Sequence, residues 1–165
     1  MELTTDVLLK GPNWSRVIDE LAPIFKTRTN YSIYMLCISI GIMYDQRIEK
    51  FEEDENEPRT VPRNVMQNND GGKLDFMFQA AILSTKTEQY TEEERLELAF
   101  GEGTDFNKLA FLTQFANYGV LKLEEQIGET PLESMENIKS FLVSTVEGNN
   151  FDINEIPDDI WLEDE

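Results

Sequence analysis

Residues 31–44 lie within the longest stretch of the chain that has no charged side chain. Large apolar residues recur there at steps of three and four on two stripes, Tyr31, Met35, Ile38 and Ile42 on one and Ile33, Leu36, Ile40 and Met43 on the other. A helix with two such stripes is apolar around most of its circumference, and helices of this kind are buried. We therefore predict a central helix at residues 31–44, with the other helices packed around it.

Five further helices are predicted from apolar periodicity and from residues that begin or end helices. They cover residues 13–22, residues 73–84, a short segment opened by the capping box Thr91–Glu94, residues 105–127, and a segment opened by the capping box Thr130–Glu133 with Pro131 in the first helical position. Asn13 is the predicted N-cap of the first, and Thr104 or Asp105 that of the helix at 105–127. The fold class is therefore mainly α, a compact bundle of about six helices around a buried central helix.

Gly119 lies inside the predicted helix at 105–127, where glycine costs roughly 1 kcal/mol relative to alanine. Close packing of another backbone offsets this cost. We expect Gly119 to let the central helix approach, most simply at Gly41. Cys37, the single cysteine, falls within the central helix and is predicted to be a small buried core residue.

Residues 47–72 show no sustained periodicity and include the acidic cluster at 52–57. About 25 residues without structure is long for a compact domain, so we predict one long irregular loop that is exposed and partly ordered. A hairpin that joins Thr60–Val61 to Val65–Met66 is a weaker alternative. Val7–Leu9 is interpreted as a short strand or a docking arm.

The C-terminal end differs in composition from the rest of the chain. The 165 residues are 40% hydrophobic, enough for the core of one domain, and we assign residues 1–148 to a helical domain and residues 149–165 to an acidic-apolar docking segment. Residues 147–165 carry eight acids and no base. Acids interleaved with large apolar groups favour docking onto a protein partner that offers an apolar groove with a basic rim. The predicted partner-binding residues are Phe151, Ile153, Ile156, Asp158, Asp159, Ile160, Trp161 and Leu162. Folding of the segment back onto its own domain is an equal alternative.

The formal net charge is −19, from 33 acidic and 14 basic residues. Binding to a nucleic-acid backbone needs clustered lysine and arginine, so this balance disfavours direct contact with nucleic acid and with anionic membranes. A basic protein partner fits the charge, and so does simple avoidance of self-association. The sequence does not indicate an oligomeric state.

The residue types that carry most catalytic chemistry are missing. The chain has no histidine, and its single cysteine excludes a Cys/His metal site and a Cys-His nucleophile pair. No phosphate-binding loop of the Gly-x-x-x-x-Gly-Lys-Ser/Thr type occurs. We therefore expect no catalytic residue, no bound metal and no cofactor, and we interpret the protein as a non-enzyme.

The expected location is the cytoplasm. One cysteine allows no disulfide framework within the chain, and the opening Met-Glu-Leu-Thr-Thr-Asp lacks the basic-then-apolar pattern of a signal peptide. The apolar run at 31–44 is shorter than the roughly 20 residues that a membrane-spanning helix needs.

Two stretches carry a resemblance to a known group of proteins. They are Leu21–Tyr31 running into Met35-Leu36 and Ser39-Ile40-Gly41, and Phe115-Ala-Asn-Tyr-Gly-Val120 followed by Leu123. This order of motifs resembles that of small proteins associated with the bacterial Dnd system, which modifies and restricts DNA through backbone phosphorothioation. The resemblance implies an accessory or interaction subunit of an antiphage DNA modification or restriction system, and it supplies no catalytic motif.

Two other functions remain open from the sequence. An acidic DNA mimic that inhibits a DNA-binding protein would need carboxylates spaced like phosphates over an extended face. Here 13 of the 33 acids fall within 52–57 and 147–165, which favours local docking over mimicry. A subunit of a metal-dependent nuclease complex is the third and lowest-ranked interpretation.

Overall fold

The structure is a computed structural model. It describes residues 3–25, 30–51, 57–85, 90–101 and 105–148, with side chains up to residue 144 in the last range. The elements in chain order are β1 (Val7–Leu9), α1 (Pro12–Leu21), α2 (Asn30–Met43), β2 (Arg59–Val61), α3 (Arg63–Asn69), α4 (Lys73–Ser84), α5 (Glu92–Phe100), α6 (Lys108–Glu124) and α7 (Pro131–Gly148). The predicted fold class, mainly α, is confirmed.

Helix α2 is the central helix, as predicted, and its bounds differ from the prediction by one residue at each end. Its most extensive partner is α6, and both helices place most of their apolar side chains in the core. The buried residues of α2 are Tyr31, Ile33, Tyr34, Cys37, Ile38, Ile40 and Gly41. Ser39 is the exposed position on this helix, so α2 is enclosed on most of its sides.

The predicted irregular loop at 47–72 is wrong in its second half. Arg59–Val61 forms β2, which pairs antiparallel with β1 so that Val7 lies opposite Val61. The alternative hairpin is wrong as well, because Val65 and Met66 belong to α3. Pro62 has no N–H to donate to a strand ladder, so β2 does not continue beyond Val61. The carboxylate of Asp6 accepts a hydrogen bond from the backbone amide of Arg63 at 2.7 Å, at the first residue of α3.

The helix starts follow the predictions in part. The capping box of α5 is confirmed, with Thr91 and Glu94 exchanging hydrogen bonds of 3.2 and 2.8 Å. Thr130 caps α7 through the Glu133 amide, but the Glu133 carboxylate accepts from Glu129 rather than from Thr130. That second capping box is therefore only half formed.

Two predicted N-caps are wrong. Helix α1 starts after Gly11, and the side-chain amide of Asn13 donates to the Glu124 carboxylate instead of capping the helix. Asn107, not Asp105, caps α6 by accepting from the Ala110 amide at 3.0 Å, and Thr104 lies outside the described residues. Just before this start, Phe106 packs on Phe78 of α4 and Phe111 of α6.

An aromatic cluster joins α4 to α6. The rings of Phe78, Phe106, Phe111 and Phe115 form a chain of mostly edge-to-face contacts, with centroids 5.2 to 5.8 Å apart. Such arrangements place the positive ring edge on a negative ring face and stabilise by about 0.5–1.5 kcal/mol per pair beyond burial. The cluster fixes the α4–α5 hairpin against the central pair of helices.

Candidate partner-binding surface

The predicted partner-binding residues lie outside the described part of the chain. They are Phe151, Ile153, Ile156, Asp158, Asp159, Ile160, Trp161 and Leu162. The assignment of residues 149–165 to a docking segment therefore stays a prediction. The described residues contain buried polar groups, open clefts and exposed apolar side chains that are candidates for a functional site.

The buried polar residues of the described core have hydrogen-bond partners within the protein; they are Asp70, Thr85, Asn117 and Ser134. The carboxylate of Asp70 accepts from the hydroxyl of Tyr31 and the amide of Leu74, both at 2.8 Å, and thereby holds the start of α4. Burial raises the pKa of the Cys37 thiol, which keeps it protonated and unreactive. Within the described ranges, no group of three or more His, Cys, Asp or Glu side chains is placed to hold a metal ion.

The second of the two stretches that resemble Dnd-associated proteins, Phe115–Val120, contributes to helix packing. Asn117 accepts a hydrogen bond from Trp14 Nε1 at 3.0 Å and donates to the Ile48 carbonyl at 3.1 Å, so it joins α1 and the segment that follows α2 to α6. Gly119 lies against the backbone of α2, as predicted, although it faces Cys37 rather than Gly41. These side chains are engaged inside the protein and offer no reactive group at the surface.

Two open clefts cross the first half of α6. The larger holds about 440 Å³ and lies between Arg47, Tyr90 and Phe111, and the other holds about 310 Å³ beside β1. They share Glu49, Asn107, Ala110 and Gln114 as lining residues. The Arg47 guanidinium stacks over Phe111, 5.0 Å from the ring centroid, which fills the floor of the larger cleft. The side-chain amides of Asn107 and Gln114 line both clefts and Phe111 lines the larger, so a polar group can be accommodated there.

The outer face of α5 combines large apolar and acidic side chains. Leu96 and Phe100 are four residues apart and therefore adjacent on one side of the helix, and 47% and 61% of their surfaces are exposed. Three exposed acids surround them at helical spacing. We call this set, Glu92, Glu93, Leu96, Glu97 and Phe100, the α5 face.

The single base of α5 is turned away from that face. Arg95 donates to the carbonyls of Ile82 and Thr85, at 3.2 and 2.7 Å, and so binds the C-terminal end of α4. A cation at a helix C-terminus is favourable because the last carbonyls carry partial negative charge. The described residues on the outer side of α5 are consequently acidic and apolar, with no base among them.

The α5 face was not predicted from the sequence. The short helix was recognised, but it has apolar residues on two sides, and nine residues do not show which side faces the core. The available signal was the spacing of Leu96 and Phe100 between glutamates at 92, 93 and 97. Charged neighbours on both flanks of an apolar pair indicate the exposed side of a helix.

The chain matches no family model, no curated protein and no solved structure. The resemblance to Dnd-associated proteins therefore stays a prediction. Among the described helices, none is both long and apolar enough to cross a membrane.

Proposed function

We propose that the protein is a non-enzymatic interaction subunit that binds a protein partner with an apolar, basic-rimmed surface. The observation that carries this proposal is the α5 face, where two large apolar side chains stand in solvent among glutamates. Burial of a leucine or phenylalanine side chain stabilises by about 1.5–3 kcal/mol, so the pair supplies the apolar centre of an interface. The acids supply orientation, because opposite charges on a partner speed encounter and fix register.

The C-terminal segment is the second part of the proposal. Residues 151–162 have the same combination of acids and large apolar groups, and Trp161 is the natural anchor because large aromatic residues often dominate binding energy at interfaces. Two linked contact sites raise the overall affinity, since engagement of one places the other at high effective concentration. A single partner with one extended basic surface would bind both the α5 face and the C-terminal segment.

We further propose a cytoplasmic setting beside prokaryotic antiphage DNA modification or restriction machinery. This part rests on the sequence resemblance alone. The second of the two stretches that carry it, Phe115–Val120, contributes to helix packing, so it supports a shared helix pairing more directly than a shared activity.

The alternatives are an acidic DNA mimic that inhibits a DNA-binding protein and, third, a subunit of a metal-dependent nuclease complex. A DNA mimic presents a continuous array of carboxylates to a site that binds phosphates. The α5 face interrupts its glutamates with Leu96 and Phe100, which favours a partner that buries apolar surface.

The test compares two exposed phenylalanines. Phe100 on the α5 face is 61% exposed and Phe76 on the outer side of α4 is 67% exposed, so Phe76→Ser is a matched control for Phe100→Ser. The tagged full chain and both variants are expressed in the native host, purified with bound proteins and analysed by mass spectrometry. We expect a basic partner to be recovered with the wild type and with Phe76→Ser, and to be reduced at least tenfold with Phe100→Ser.

Two other results would change the proposal. Equal recovery with Phe100→Ser would remove the α5 face from the interface. Release of the partner by competing duplex DNA, with equal recovery for both variants, would favour the DNA mimic.

A further inference from the structure

Helix α7 carries a second apolar surface that does not face the core. Leu132, Met135 and Val143 are exposed, and together with Lys139 and the half-buried Leu142 they fall within about one third of the helix circumference. We call these five residues the α7 stripe. The core-facing side of the same helix is centred on Ser134, Ile138 and Phe141, which are buried or packed on the core, and Leu142 lies at the edge of the stripe, where it also packs on the core.

The charge of the α7 stripe is positive at its centre. Lys139 is the only base in α7, and it lies between Met135 and Leu142 on the stripe. Two acids of α7 lie near it. Glu133 is occupied at the helix start, where its carboxylate accepts from the Glu129 amide at 2.9 Å, and the exposed Glu136 lies one turn before Lys139, beside Leu132 and Val143. The apolar side chains of the stripe and the ammonium of Lys139 therefore suit a ligand that combines large apolar groups with acids.

We propose that the α7 stripe binds residues 151–162 of the same chain in the free protein. These residues follow α7 directly in sequence, and the last 17 residues of the chain contain seven acids and no base. They also include the six large apolar residues Phe151, Ile153, Ile156, Ile160, Trp161 and Leu162. A segment of this composition complements an apolar stripe centred on a lysine.

The connecting chain is long enough to reach the whole stripe. Helix α7 has 18 residues and is about 27 Å long at 1.5 Å per residue. Ten residues of extended chain span about 33 Å, so Trp161 can return to the beginning of the helix. A tether this short holds its end at a local concentration in the millimolar range, which makes a weak contact sufficient.

The other exposed apolar faces fit the segment less well. The glutamates of the α5 face repel an acidic segment, since like charges in contact are destabilising. On α4, Lys73 is the only base among the helix residues, and it donates its ammonium to the carbonyl of Asn69 at the end of α3. The α7 stripe therefore combines the shortest tether with a cation at its centre.

A consequence for partner binding rests on the proposed function. The acidic segment must leave the α7 stripe before it binds a basic partner, and the apparent affinity falls by the fraction of molecules in which it is docked. The α7 stripe would then compete with the partner for the acidic segment, which raises the partner concentration needed for association.

The experiment measures thiol reactivity and needs no partner, so its failure is distinguishable from failure of the proposed function. Cys37 is buried, which leaves an introduced cysteine as the reactive thiol in the native protein. Met135→Cys reports on the α7 stripe, and Leu83→Cys on α4 is the control, since the native side chains are 48% and 43% exposed. Each cysteine is placed in the full chain, once with the native segment and once with Ile160, Trp161 and Leu162 replaced by serine.

We expect the Met135→Cys thiol to react at least tenfold faster when the three serines are present, and the Leu83→Cys thiol to react at the same rate in both. Equal rates at position 135 with both segments would overturn the proposal. Protection that disappears on dilution would also overturn it, because the stripe would then be covered by a second copy of the chain.

Discussion

Gly119 of α6 faces the backbone carbonyl of Cys37 in α2, with no room for a Cβ atom between them. The relationship is reciprocal one turn away, where Gly41 of α2 faces the carbonyl of Phe115 in α6. Each helix thus supplies one glycine to a contact in which backbone meets backbone. This close approach lets α2 and α6, the pair of elements with the most extensive contact, pack closely against each other.

Substitution of Gly119 should destabilise the protein although glycine is a poor helix former. A Cβ atom there overlaps a backbone oxygen that cannot rotate away, so we expect Gly119→Leu to lower the free energy of unfolding by about 1–3 kcal/mol. Urea denaturation measures the change. The control is the exposed helical position Ser140, where Ser140→Ala should be neutral or slightly stabilising through helix propensity. A stabilising effect of Gly119→Leu would show that the helices have space at this point.

Cys37 should make stability depend on pH in the alkaline range. Burial raises the pKa of its thiol, so the folded protein keeps a proton that the unfolded chain releases above about pH 8.5. Because the folded state has the higher pKa, the stabilisation is complete below the unfolded pKa and is lost as the pH rises above it. Between pH 8 and 10, the free energy of unfolding should fall more steeply for the wild type than for Cys37→Ala.

The same variant tests burial at neutral pH. Cys37→Ala removes a small buried group and should lower stability by roughly 1–2 kcal/mol while leaving partner binding intact. A thiol reagent should label the wild-type protein only in denaturant. Rapid labelling of the native protein would contradict burial of this residue.

The hydrogen bond between Trp14 and Asn117 should contribute to stability through the cost of leaving a buried amide unpaired. Trp14→Phe keeps an aromatic ring and removes the donor to Asn117 Oδ1, and we expect a loss of about 1–3 kcal/mol. A double-mutant cycle with Asn117→Ala, followed by chemical denaturation, isolates the pairwise interaction. A coupling energy near zero would mean that the two side chains stabilise the fold independently.

Trp161 should be the most sensitive position for association. Trp161→Ala is expected to weaken binding to the partner identified by affinity purification at least tenfold, because a large aromatic anchor often supplies 2 kcal/mol or more. Titration calorimetry or fluorescence anisotropy measures the dissociation constant. Glu165→Gln in the same segment is the control and should change binding by less than threefold.

The interpretation as a non-enzyme is tested directly on the purified protein. With no histidine and no phosphate-binding loop in the sequence, we expect neither nuclease nor nucleotidase activity with Mg²⁺ or Mn²⁺ added. Activity that co-purifies with the protein and is abolished by substitution of one carboxylate would refute this interpretation.

The longer helices were predictable because each carries its own signal. The bounds of α4 agree with the predicted 73–84, and α2 was located to within one residue from its two apolar stripes. The close approach at Gly119 was predictable too, since an interior glycine needs an offsetting contact. In these cases local sequence and long-range packing favour the same structure.

Strand β1 and helix α5 were located from the sequence, but strand β2 and the orientation of α5 were not, for the opposite reason. Strand β2 has three residues and exists through pairing with β1, more than 40 residues earlier in the chain, so local periodicity carries no trace of it. The α5 face depends similarly on a distant contact, because the bonds from Arg95 to Ile82 and Thr85 decide which side of the helix is turned outward. Sequence reasoning located the helix and left its orientation undetermined.

The pairing of α2 with α6 has a consequence for the protein during its synthesis. About 80 residues separate the two halves of the glycine contact, and a ribosome adds roughly 5–20 residues per second. Helix α2, the most apolar helix of the chain, is therefore synthesised some 4–16 s before α6, the helix that covers it. We expect that during this interval α2 exposes apolar side chains that the finished protein buries, which makes the nascent chain more prone to bind chaperones or to aggregate than the folded protein.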